Sequence, residues 1–219
     1  MTTNFFDANE NDIVFLKKQW NDLTALYTSD VGLRDESFQT LKEMYSEKGR
    51  FYHNLSHIKA LLHLLEARKN KLHDHNAIRF AIWFHDAVYN TKRSDNEEKS
   101  AELASEILGR LNVNMETTGY VRDLILATKD HNGGNLQADA KLFLDMDLAI
   151  LGVAKEIYVN YSKAIREEYS WVPGVLYRRS RKKILRSFIE KERIYYTDEM
   201  NKRFEAQARM NINGEIESL

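Results

Sequence analysis

Apolar residues recur at spacings of three and four along most of the chain, as in Ile58, Leu61, Leu62 and Leu65, or Ala101, Ala104, Ile107, Leu108 and Leu111. Such spacing places them on one face of an α-helix, and no stretch offers a convincing strand. The pattern predicts helices at about 10–28, 35–48, 55–70, 75–90, 95–111, 116–130, 138–151, 153–170, 174–195 and 197–211, with ends good to about 2 to 4 residues. Ser94 followed by Glu97 reads as a capping box that starts the fifth of these. Gly133 and Gly134, after Asp130, His131 and Asn132, mark a loop, and Gly152 separates two helices. One proline, Pro173, and nine glycines are few for 219 residues. No interval reads as a linker, repeat or low-complexity tract. The expectation is an all-α, compact helical bundle forming one domain over 1–219.

Composition narrows the chemistry. With 43% apolar and 30% charged residues the chain is hydrophobic enough to fold alone. The formal net charge of -1 gives no global attraction to polyanions, so any anion site must be local. Trp20, Trp83 and Trp171 lack the interleaved basic residues of a nucleic-acid stacking surface, and no nucleic-acid polymer is expected as partner. The absence of cysteine leaves His, Asp and Glu as metal ligands. The start MTTNFFDANEND lacks a basic segment followed by an apolar run, and no stretch reaches the roughly 18 apolar residues of a membrane span. A cytoplasmic protein without membrane association is the simplest expectation.

Within this helical frame, His85 and Asp86 stand out. His85 lies three and four residues beyond Ile82 and Ala81, so it faces inward. An isolated inward histidine is ordinarily a core residue satisfied by one hydrogen bond. Asp86 beside it changes the balance, because a buried carboxylate needs a cationic partner and a divalent ion accepts both ligands. Further ligands must come from other helices. His57, with Leu61 one turn along its face, and Asp147, set among Phe143, Leu144, Ile150 and Leu151, are the candidates. Asp145 is the alternative to Asp147, but its neighbours at the same spacings are Lys141, Leu142, Leu148 and Ala149, which predicts a less enclosed position.

The segments YHNLSH at 52–57, FHDAVYN at 84–90, DNEEKSA at 95–101, LATKDH at 126–131, DMDLAILG at 145–152 and IREEY at 165–169 resemble, in order, a small bacterial branch of the HD superfamily of metal-dependent phosphohydrolases. The resemblance covers most of the chain. It implies an HD-type helical domain in which His57, His85, Asp86 and Asp147 bind one divalent ion. Two imidazoles and two carboxylates suit manganese, iron, nickel, cobalt or zinc better than calcium. Only His131 lies between the pair and the last Asp, which suits one ion rather than two.

Other HD branches carry an acidic residue within a turn after the pair as a proton-transfer group. Here that stretch reads Ala87, Val88, Tyr89, Asn90. The candidates for the catalytic role, beside Asp86 itself, are Glu98 and His131; Glu97 competes as a capping residue, and His131 reads equally as a solvated loop histidine. A phosphate also needs a cation with a fork, and Arg181 shares the stripe of Tyr177, Ile184, Leu185 and Phe188, whereas the rest of the run from Arg178 to Lys183 reads as a solvated face. Lys129 and His53 are further substrate-binding candidates, His53 reading also as packing against a helix start. His63, His73 and His75 belong to no constellation. The expected activity is hydrolysis of a small phosphorylated molecule, a nucleotide or related ester, by metal-activated water. The alternative is a non-catalytic sensor binding metal and nucleotide in the same pocket.

Overall fold

The computed structural model describes residues 6–68, 72–131 and 136–219, and among these the regular elements are helices, with no strand. The expected loop at Asn132, Gly133 and Gly134 lies outside the described residues. The chain forms two compact units, one running to residue 134 and one from residue 135.

The first unit holds α1 (Glu10–Thr24), α2 (Val31–Tyr45), α3 (Leu55–Glu66), α4 (His75–Phe84), α5 (Asn96–Arg110) and α6 (Met115–Ala127). Its centre is α4, apolar around most of its circumference, with Ala77, Ile78 and every residue from Phe80 to Phe84 fully enclosed. Helices α3, α5 and α6 pack around it. Trp20 of α1 meets Phe80, Trp83 and Phe84 edge-on at ring separations of 6.1, 5.4 and 5.9 Å, and Phe38 of α2 meets Trp83 at 6.2 Å. The Trp20 indole N–H is not lost in this cluster, since it reaches Ser37 Oγ at 3.1 Å.

Short polar side chains set the starts of these helices. Asn9 and Asp12 form a reciprocal capping box on α1, and Asp30, Asn54, Asp74 and Asn114 each accept a first-turn amide. The box expected at Ser94 and Glu97 is not formed. Helix α5 starts at Asn96 with Asp95 as its cap, so Ser94 lies one position too early to reach the first-turn amides. Arg93 holds the Asp95 carboxylate instead, at 2.7 and 2.5 Å.

The second unit holds α7 (Ala138–Asp147), a 3-10 segment (Leu148–Gly152), α8 (Lys155–Glu168), α9 (Gly174–Ile189) and α10 (Asp198–Ser218). Helix α10 packs against the other three helices and the 3-10 segment. Gly152 permits that approach, because a Cβ there would lie 2.6 Å from both the Cβ and the carbonyl oxygen of Phe204. The helix expected to run from 174 to 195 ends at Ile189. Side chains of α10 take over the backbone beyond it: Arg209 donates to the carbonyls of Ile189, Lys191 and Glu192, and Glu205 accepts the amides of Ile194 and Tyr195. Conversely, α10 continues past the expected end at 211, because Asn211 donates to the carbonyls of Leu151 and Val153 and Glu215 has a buried partner of its own.

Candidate metal centre

His57 sits in the first turn of α3, just past its cap Asn54, with its side chain buried. His85 and Asp86 do not lie within a helix running to residue 90, as the periodicity suggests. Helix α4 stops at Phe84, His85 is its C-cap, and Asp86 opens the turn that follows. Helix ends leave carbonyls without intrahelical partners, and here the following turn and other elements supply the donors. The Ala81 carbonyl accepts from the His85 amide at 2.9 Å, and Trp83 from the Tyr45 hydroxyl at 3.1 Å. Phe84 accepts from the Ala87 amide at 3.0 Å. The carbonyls of Asp86 and Ala87 accept from the two ends of the Arg50 guanidinium, each at 2.7 Å. Ser100 of α5 then clasps both backbone groups of Val88.

Three donor atoms converge at this turn. His57 Nε2 and His85 Nε2 are 3.2 Å apart, and Asp86 Oδ2 lies 3.1 Å from His85 Nε2 and 3.9 Å from His57 Nε2. The other nitrogen of His85 decides what this means. His85 Nδ1 is 3.0 Å from the Ile82 carbonyl, which can only accept, so Nδ1 carries a proton and, when the ring is neutral, Nε2 offers a lone pair. A divalent ion placed between the three donor atoms would accept a lone pair from each. One proton satisfies one such contact, whereas a divalent ion satisfies all three. Adjacent ligands with bonds of about 2.1 Å sit roughly 3 Å apart in octahedral geometry, close to the two shorter separations. Nitrogen and oxygen donors with a carbonyl orienting His85 are a set that could hold a metal ion.

Around this cluster, the Tyr52 ring lies 5.0 Å from the His57 ring. His53, a candidate substrate contact, packs at 4.3 Å on the Tyr89 ring, with its own ring 6.1 Å from that of His57, which places it at the rim. Glu98 and Lys129 are brought together as an ion pair, Lys129 also donating to the Ser94 carbonyl at 2.9 Å. The Lys129 ammonium holds the Glu98 carboxyl below its ordinary range. His131 is half-buried in a turn at a left-handed φ of 49°.

In the second unit the two neighbouring aspartates reverse the expected enclosure. Asp145 is fully buried and Asp147, at the end of α7, is half-buried. The spacing argument counted neighbours on one helix and missed the segment ahead of α10. Asp145 accepts the amides of Tyr196 and Thr197, each at 2.7 Å, and the Thr197 hydroxyl at 2.6 Å. It is a structural carboxylate with its needs met, which leaves Asp147 as the better ligand candidate. Asp147 also lies close enough to Tyr161 to add to the rise that burial imposes on that hydroxyl.

Arg181 does point into the interior, as its stripe predicts, but its fork is engaged. It binds Glu215 through Nε at 2.8 Å and Nη2 at 3.1 Å, and the Tyr158 hydroxyl adds a 2.5 Å bond to the same carboxylate. A phosphate would have to displace Glu215, a partner beyond the end of the helix expected from sequence. Burial alone would raise the Glu215 carboxyl, yet the Arg181 fork and the hydroxyls of Tyr158 and Ser162 hold it below its ordinary value of 4.5. Breaking a buried pair by truncating one partner costs about 3–5 kcal/mol, and Arg181→Met is expected to fall in that range by urea denaturation. Because the folded Glu215 value is depressed, its contribution is complete above the unfolded value and fades as pH falls through the folded one. The stability gap between wild type and Glu215→Gln is therefore expected to shrink as pH falls below about 4.5.

Arg50 was not among the residues singled out from sequence. The only local signal was an arginine just ahead of the YHNLSH segment, and two of its three carbonyl partners lie 36 and 37 positions away.

The described residues thus define an all-α protein with a buried His/Asp cluster that could hold a metal ion, and none of their helices is long and apolar enough to cross a membrane. Comparison with protein-family models, curated proteins and solved structures yields no match.

Proposed function

We propose that the protein is a metal-dependent phosphohydrolase acting on a small phosphorylated molecule, a nucleotide or related phosphate ester. The observation that carries this reading is the convergence of His57, His85 and Asp86 on one point, with Nε2 of His85 3.2 and 3.1 Å from the donor atoms of the other two. The sequence resemblance adds Asp147 as a further carboxylate ligand and supplies the reaction class. Bound there, a divalent ion provides Lewis acidity towards a phosphoryl oxygen and makes water a better nucleophile near neutral pH. The chain's own residues do the rest. His57, His85 and Asp86 hold the ion, the Ile82 carbonyl fixes the His85 ring, and His53 at the rim contacts the phosphate. Lys129 is spent on Glu98, so phosphate charge is met mainly by the ion.

The sensor reading has one observation in its favour: Glu98, the acidic candidate for proton transfer, is committed to Lys129. Chelation followed by return of manganese, cobalt or nickel separates the two. The hydrolase reading expects phosphate or pyrophosphate release from a panel of nucleotides and sugar phosphates to vanish with chelator and return with metal. A metal-loaded protein that binds nucleotide and releases nothing across the panel leaves only the sensor.

A further inference from the structure

We propose that Arg50 is a positioning residue for the metal centre, a reading that rests on the metal site proposed above. Its guanidinium is buried and spans three carbonyls: Nη1 binds those of His53 and Asp86, at 3.1 and 2.7 Å, and Nη2 binds that of Ala87 at 2.7 Å. One planar group thus joins the segment that leads into His57 to the turn that carries Asp86. The Tyr45 and Tyr89 rings lie 5.1 and 5.5 Å from its centre. Glu47 approaches Nε at 3.8 Å from the solvent side. Tyr89 also packs on His53, so the same scaffold reaches the rim of the cluster.

The geometry has a specific consequence for the ligands. Asp86 is held at its own peptide, two residues past the end of α4, so its Oδ2 can meet His85 Nε2 only while that peptide keeps its orientation. A guanidinium donates from two nitrogens at a fixed spread and so sets the Asp86 and Ala87 carbonyls side by side. An ammonium on a lysine stem is a point donor and cannot hold both at that spread. The positive charge also faces the carbonyl end of α4, where a cation is favoured.

The test compares wild type, Arg50→Lys and Tyr45→Phe, using titration with Co2+ alone and the electronic spectrum of the bound ion, each beside a thermal melt. Tyr45→Phe removes the bond to the Trp83 carbonyl and serves as the control for general loosening of this end of α4. Arg50→Lys is expected to weaken Co2+ binding roughly 10- to 100-fold, the usual scale for residues that orient ligands, and to alter the spectrum. Tyr45→Phe is expected to lower the melting temperature with the spectrum retained. Wild-type affinity and spectrum in Arg50→Lys overturn the proposal, whatever the melt shows, and so does a variant that recovers both once the temperature is lowered to restore its fold. A wild type that takes up no Co2+ removes the metal reading itself, and Arg50 with it.

Discussion

His85→Ala and Asp86→Ala are each expected to yield folded protein with essentially no bound divalent ion, where the wild type carries about one per chain. Each change deletes one of the three donors that converge at the turn, and with it the close pairing of nitrogen and carboxylate on which the ion would rest. The His85 change has a second effect, since it leaves the Ile82 carbonyl without the ring N–H it now accepts at 3.0 Å. That bond is worth about 1 kcal/mol, too little to unfold a protein of this size. Asp86 keeps part of its side chain in contact with solvent, and its truncation should cost less still. Elemental analysis after dialysis, with circular dichroism on the same samples, reads both quantities. Metal content surviving both substitutions means that the site lies elsewhere.

Asp145→Ala and Asp147→Ala are expected to separate cleanly, with the larger loss of stability at Asp145. Removing Asp145 strands two backbone amides and a hydroxyl that now converge on a fully buried carboxylate ahead of α10. Hydrogen bonds to a charged acceptor are individually strong, and the expected cost is roughly 3 kcal/mol, a fall in Tm of roughly 10 °C for a chain of this length. Asp147 is half-buried and terminates α7, so its truncation should stay within about 1 kcal/mol of wild type while weakening metal binding. Thermal melts and metal titrations on the two variants give opposite rankings on this reading. A stable Asp145→Ala that has lost its metal would exchange the two roles.

How far the sequence carried depended on whether a signal was local. Helical periodicity is local, and the helices appear near their expected places. Boundaries set by tertiary partners were not legible. Helix α4 ends six residues early because Tyr45 takes the Trp83 carbonyl and Arg50 and Ser100 take those of the turn beyond it, and α9 ends early because Glu205 and Arg209 hold the chain beyond it. The same limit applies to single residues. His57, His85 and Asp86 come together as their inward positions suggested, whereas Arg181 faces inward for a different purpose, with Glu215 34 positions away as its partner. Helical spacing says which way a side chain points. It does not say what waits there.

The turn that carries His85 and Asp86 owes its shape to residues up to 38 positions away, and His57 and His85 are themselves 28 apart. An unfolded chain holds neither arrangement, so an ion occupying the cluster would bind the folded state almost alone. Occupancy and folding are then thermodynamically linked: free metal at about 100 times its dissociation constant would add about 2.7 kcal/mol to the folding equilibrium. An ion held there would also be part of what keeps the first unit folded, and metal supply would then set how long the chain stays folded.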